Sequence, residues 1–244
     1  MNQPVSSRKS PQQDYEPKPS EWVDFEAAGV RELEGLSIAD LLKALPELAR
    51  ELNAYRKKHN LPGPGLISDH AIIGQDVYIG PGARVYEFST VRDGAIICSN
   101  AVVGFGNEMV NTFVGKRSHV FHRNSIGSSV VGNNVDITVG VTAAATLFAN
   151  PDMSRPTVDI LIPMSDGTVY NTDTPKFGAV IGDGTRVGMH AALGPGVIIG
   201  RASQIGAMVR LTPGIYPDGM HIRDAGFRVI DAASIQTNNP NQSL

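Results

Sequence analysis

From residue 67 onward, aliphatic side chains return every sixth position. Ile67, Ile73, Ile79, Val85, Val91, Ile97, Val103 and Met109 follow without interruption. A second run holds Ile181, Val187, Leu193, Ile199, Ile205 and Leu211. Four residues after these positions the side chains are small or short: Ala71, Val77, Ala83, Ser89, Ala95 and Ala101, then Thr185, Ala191, Val197, Ser203 and Val209. Glycine often follows the aliphatic residue, as in "IIGQDV", "YIGPGA", "VIGDGT" and "IIGRAS". A period of six is neither the alternation of one strand nor the spacing of one helix face; it is a structural repeat. Each hexad reads as a short strand and a turn. The aliphatic residue points inward, and Gly, Asn or Asp takes the left-handed backbone at the corner. Three hexads close one triangular coil. A single coil has no core of its own, so the fold is stable only as a stack. Each buried aliphatic side chain contributes about 1.5–3 kcal/mol to that stack. The pattern predicts a mainly β protein, a parallel β-helix.

Between the two runs the phase slips twice. Met109 to Val114 is five residues, and so is Ile126 to Val131. Coils here are seventeen residues long, which predicts His119 beside Asp136, each just before an inward residue. His122 follows inward Val120 by two residues and turns the corner. Neither histidine belongs to the core. Periodicity alone leaves a solvated surface histidine and a functional one equally open.

The flanks read differently. Residues 1–35 are polar and proline-containing at the start and predict a mobile tail. In 36–60, Ile38, Leu41, Leu42, Leu45, Leu48, Leu52 and Tyr55 recur at helical spacing and make one apolar face. Ser37 is the expected N-cap, with Asp40 completing a weak capping box. Pro46 is expected to kink this helix or divide it. "PGPG" from Pro62 to Gly65 ends it. The β-helix is expected over 66–211, interrupted by an arm at 149–174. There Val158, Ile160 and Ile162 alternate, "SDG" turns the chain and "TVYNT" returns, as in a hairpin. The arm is expected to cross to a neighbouring subunit and wall its active site. Residues 212–244 lack the period and are expected to cap the open end and trail off as a tail.

Composition narrows the chemistry. The 244 residues are 41% hydrophobic, enough for a substantial core, and the formal charge of -3 argues against a general nucleic-acid binder. One cysteine, Cys98, excludes an intrachain disulfide framework and a multi-cysteine metal site. The first residues contain no apolar run, so a cytoplasmic protein is expected.

At this point the motifs resemble a known family. "YIGPGARVYEFSTV", "HRNSIGSSVVGNNV" from His122 to Val135 and "KFGAVIGD" from Lys176 to Asp183 carry the likeness, which covers roughly residues 66 to 211. The chain resembles the left-handed β-helix acetyltransferase domain of bifunctional glucosamine-1-phosphate acetyltransferase/N-acetylglucosamine-1-phosphate uridylyltransferases. No "GxGTR" loop precedes the repeat, so the uridylyltransferase half is not expected. The resemblance implies a homotrimer with active sites between prisms and acetyl-CoA as co-substrate. Its path would run along Val139, Met189 and Ala207. The family's catalytic histidine falls on His122. Imidazole suits the role, since attack on a thioester needs a base that works near neutral pH. Substrate-binding positions would be Tyr86, Glu108, His119, Ser125, Asp136 and Lys176, with no metal. Cys98 has no histidine motif beside it and reads as structural.

The pocket departs from the family pattern in five places. Tyr86 stands for an arginine, Val110 for a lysine, Ser125 for a tyrosine, and Asp136 and Ala145 for asparagines. Lys176 matches a lysine. Two cations are therefore missing, and glucosamine 1-phosphate is expected to be a poor acceptor. An amino sugar that is nucleotide-linked or unphosphorylated is expected to be better. His119 and Asp136 form either a charge-assisted pair beside His122 or a solvated surface pair. Two other readings compete. A β-helix carbonic anhydrase needs three zinc-binding histidines shared between subunits; its two-histidine spacing is absent, since His119 and His122 are three apart. A non-catalytic scaffold derived from such an enzyme is the alternative, motivated by the substituted pocket.

Overall fold

The computed structural model describes residues 15–224. Over this range the six-residue period becomes a three-sided parallel β-helix of strands two or three residues long. Eight strands stack on the first face, seven on the second and seven on the third. The inward aliphatic residues form one continuous core from Ile79 to Leu211. Corners take left-handed backbone even without glycine, as at Asn100, Arg117, Asn134, Arg123 and His190. The two phase slips fall at the corner between the second and third faces and leave the stacking intact. His119 pairs with Asp136 in parallel register, as expected.

The residue just before each inward position points outward, and its character differs by face. On the first face it is Leu66, Arg84, Val102, His119, Asp136, Arg186, Gln204 or His221, and on the second Ile72, Thr90, Glu108, Ser125, Thr142, Ala192 or Arg210, so both are mainly polar. On the third it is Tyr78, Ile96, Phe113, Val130, Val180, Ile198 or Ile215. An apolar outer face must be covered. The N-terminal segment covers it, with helices α1 (Phe25–Ala28) and α2 (Ile38–Lys58). Trp22, Val23, Phe25, Leu33, Leu41 and Leu45 are buried there against Ile96, Phe113 and Val130. Phe25 meets Phe113 edge-on at 5.2 Å. Asp183 fastens the segment: its carboxylate accepts from the backbone N–H of Asp24 at 3.0 Å and of Asn133 at 2.6 Å.

Five expectations need correction. Residues 19–35 are not a free tail, because their apolar side chains meet the third face; residues 1–14 lie outside the described range. Pro46 does not divide α2, which runs unbroken through it. Its ring packs on Gly94, where an added Cβ would lie 2.5 Å from Pro46 Cγ. The Ser37 hydroxyl caps the helix by accepting from Asp40 N–H at 3.1 Å, but the Asp40 carboxylate accepts from the Ser37 hydroxyl at 2.9 Å rather than closing a full box. The arm is a hairpin, Leu161–Pro163 with Val169–Asn171, yet it lies on its own chain. Ile160, Ile162 and Tyr170 are buried on the third face, beside Ile198. The stretch after 211 does not break the repeat. Gly214–Tyr216 and His221–Ile222 extend the third and first faces in parallel, and residues 225–244 lie outside the described range.

Candidate active site

His122 sits where the chain turns from the first face to the second, between strands His119–Val120 and Ser125–Gly127. The parallel registers run Val102, His119, Asp136, Arg186, Gln204. Three residues further on, the same registers align Phe105, His122, Val139, Met189 and Ala207 along one edge of the prism. Adjacent coils are about 4.8 Å apart, so the candidate base and the three candidate cofactor positions form one column. Phe105, His122, Arg123 and Val139 bound a hollow of about 370 Å³. The Phe121 ring stands 6.3 Å from the imidazole at 67°. The Arg123 guanidinium lies 6.0 Å from the centre of the Phe105 ring.

On the first face, His119 Nδ1 is 3.4 Å from Asp136 Oδ1. Asp136 Oδ2 accepts from Arg186 Nε at 2.9 Å. Asp136, which stands where the family pattern has an asparagine, is thus paired with a cation from the next coil. This cluster borders a second groove of about 290 Å³ along the first face, from Phe121 to Arg223. On the second face, Ser125 Oγ donates to Glu108 Oε2 at 3.3 Å and Arg92 binds Glu108 Oε1 at 3.2 Å. Arg92 also pairs with Asp93 and stands in register with Val110. A cation is thus present one coil away from the lysine that Val110 replaces, held by two carboxylates.

Tyr86 lies at the same edge of the prism, in the column of Gly104 and Phe121. Lys176 does not join this group within one chain. It follows the hairpin, and the next residue, Phe177, donates its N–H to the Ala145 carbonyl at the far edge of the second face. Cys98 is buried under the N-terminal segment, and burial pushes its thiol up to about 12. Among the described residues, no group of three or more His, Cys, Asp or Glu side chains is placed to hold a metal ion. No described helix is long and apolar enough to cross a membrane.

Three features escaped the sequence reading. Arg186 was one because its partner is fifty residues away in the chain. Gly104 is another: a Cβ there would overlap the Phe121 carbonyl oxygen and come within 3.1 Å of His122 Nδ1. The third is a buried amide pair, Asn107 and Asn124. The available signal was "GFGN" and "FHRN", which put asparagine where other coils carry Ala, Ser or Val.

Comparison with known proteins agrees with the repeat. Residues 70–105 and 178–213 match the bacterial transferase hexapeptide (six repeats). The bifunctional protein GlmU of Methanococcus aeolicus is 30% identical over 117 residues, covering 48% of this chain and 26% of that protein. That of Pseudoalteromonas atlantica is 31% identical over 139 residues, 57% of this chain and 24% of that protein. The matched segment is thus about a quarter of the length of these relatives. Among solved structures, AntD, an N-acyltransferase from Bacillus cereus in complex with dTDP and 3-hydroxybutyryl-CoA, aligns with a TM-score of 0.35 at 19% identity, over 63% of this chain and 72% of that one. A mutant of perosamine N-acetyltransferase from Caulobacter crescentus, in complex with CoA and GDP-perosamine, aligns with a TM-score of 0.33 at 18% identity, over 80% of this chain and 69% of that one.

Proposed function

We propose that the chain is an acetyl-CoA-dependent acyltransferase, an N-acetyltransferase for an amino sugar or its nucleotide-linked form, with His122 as general base. The observation that carries this reading is the column of His122, Val139, Met189 and Ala207 beside an open hollow. An exposed edge with an imidazole at one end and short or flexible apolar side chains along the rest suits a long, narrow thioester lying along the prism. An amine attacks a thioester only after losing its proton, and His122 is the group at the hollow able to accept one near neutral pH. His119, held by Asp136, supports the neighbouring first face. Glu108 and Ser125, hydrogen-bonded to each other, stand on the second face, where sugar hydroxyls would be read.

The site is completed by neighbouring copies in a homotrimer. Phe88, Phe105 and Phe121 are exposed along this edge, as are Met189 and Met208. Such a strip on an isolated prism favours burial against a second one. A partner prism is also the way for a residue such as Lys176, at the far edge of its own chain, to approach another chain's His122.

The acceptor argument rests on charge. A phosphate monoester at a subunit interface needs cationic donors, since an unpaired buried charge is costly. Tyr86 and Val110 supply none, and Arg92 is already engaged by Glu108 and Asp93. A nucleotide-linked or unphosphorylated amino sugar is therefore the expected acceptor. The test follows thiol release from acetyl-CoA with glucosamine, glucosamine 1-phosphate and nucleotide-linked amino sugars. A higher kcat/KM for glucosamine 1-phosphate than for every other acceptor would refute the acceptor class. Absence of any acetyl-CoA binding by calorimetry would refute the enzyme and favour a scaffold.

A further inference from the structure

We propose that Asn107 is a positioning residue for His122, setting the imidazole's direction from beneath through the Phe121–His122 peptide. The inference rests on His122 being the base.

His122 is exposed, and among the described residues no side-chain hydrogen bond holds its ring. Its direction therefore depends on the backbone that carries it. That backbone is gripped from inside. The Asn107 carboxamide is 2% exposed. Its Nδ2 lies 2.7 Å from the Gly104 carbonyl oxygen and 3.0 Å from that of Phe121. Its Oδ1 accepts from Asn124 N–H at 2.9 Å and from Asn124 Nδ2 at 2.9 Å. One side chain thus holds the residue before His122 and the residue two after it. Asn124 passes the link on, accepting from Val141 N–H at 2.7 Å. Gly104 lets the Phe121 carbonyl come close enough for this grip. Rotation of that peptide would break the part-buried bond to Phe121 and cost the buried Asn107 amide one of its acceptors.

The slot itself needs no asparagine. In the same column stand Ala71, Ser89, Val141, Ala191 and Val209. Packing therefore tolerates Ala or Val at 107. Serine makes a smaller bridge of the same kind elsewhere. Ser118 Oγ donates to the Gly132 carbonyl fourteen residues on, at 2.7 Å, and accepts from Val135 N–H seventeen residues on, at 2.9 Å. The same offsets from residue 107 reach the Phe121 carbonyl and Asn124 N–H. Asn107→Ser should keep the grip, while Asn107→Ala and Asn107→Val should lose it.

Thr185→Val is the control, because Thr185 Oγ1 makes a comparable buried bond, to the Gly200 carbonyl at 2.9 Å, on another corner. The readouts are melting temperature, the His122 ring signals in 1H–15N spectra (assigned by their loss in His122→Ala) and turnover of acetyl-CoA with the acceptor panel. All variants should melt lower. Only Asn107→Ala and Asn107→Val should move or split the His122 signals. The same two should lower kcat roughly ten- to a hundredfold, with the acetyl-CoA KM within twofold. Asn107→Ser should restore both readouts. Unchanged His122 signals in Asn107→Ala and Asn107→Val, or an equal effect in Thr185→Val, would overturn the proposal. If the wild type turns over no acceptor, the functional reading fails, and the ring signals still decide whether Asn107 positions His122.

Discussion

His122 and Cys98 differ in environment, and each supports a distinct expectation. His122→Ala removes an exposed side chain, so it opens no cavity. It should lower turnover by about 10²–10⁴, leaving acetyl-CoA affinity and melting temperature near the wild type. Calorimetry and steady-state kinetics on the same preparation check this, and retained activity would remove His122 from the role. Cys98 is the reverse case, wholly buried and without chemistry. Its thiol has an ordinary value of 9.0 and is raised to about 12 by burial. Between these values the unfolded chain releases a proton that the folded chain keeps, so stability falls as pH rises from 9 towards 12. Cys98→Ala should therefore lose less stability than the wild type over that window, each relative to its own value at pH 7. Denaturant titrations at pH 7, 9 and 10.5 read the difference, and parallel losses in the two proteins would contradict it.

The third face and α2 form a matched pair. Outward Ile96, Phe113, Val130 and Ile198 need a cover, and the apolar side of α2 needs a surface. Polar ties fix the seating: Asn53 Nδ2 donates to the Val77 carbonyl at 2.8 Å, and Arg56 donates to that of Ile79 at 2.6 Å. The tightest point is Pro46 on Gly94, whose φ is +85°. Gly94→Ala would add left-handed strain of about 1–2 kcal/mol and also press against the proline. The melting temperature should fall by several degrees, and Pro46→Ala in the same chain should recover part of the loss. A neutral Gly94→Ala would show that α2 does not rest there. This packing also explains why Pro46 leaves the helix whole, since tertiary contact on both flanks outweighs a lost backbone bond.

Assembly follows from which faces remain open. The N-terminal segment and hairpin occupy the third face, leaving the other two and the edge bearing His122. A homotrimer packed around that edge would bury Phe88, Phe105 and Phe121. Light scattering at micromolar concentration should give three times the 26.0 kDa chain mass. Phe105→Glu, which puts charge on the strip without touching the core, should shift the protein towards monomer and lower turnover together. A monomeric wild type would count against both the trimer and the site shared between chains.

Much of this was legible from spacing. The period of six gave the coil and the core column, and counting its two five-residue slips gave the seventeen-residue coil that pairs His119 with Asp136. His122's place off the core came from the same counting, whereas Val139, Met189 and Ala207 were marked by the family motif and aligned with it only by the strand registers. The cover of the third face was present in the outward apolar positions but went unread, because the outward residues had to be sorted by face before the apolar set stood out. Contacts that depend on distant chain segments were decided only in three dimensions. Arg186 reaches Asp136 because a fifty-residue interval closes between two coils. Ile160 and Ile162 meet Ile198 because the hairpin finds an apolar face within its own chain. Asn107 grips the peptide before His122 because adjacent coils bring a buried amide against a carbonyl that sequence separates by fourteen residues. Periodicity specifies what repeats, whereas these contacts arise where the repeat is broken and a single side chain meets a neighbour that no period predicts.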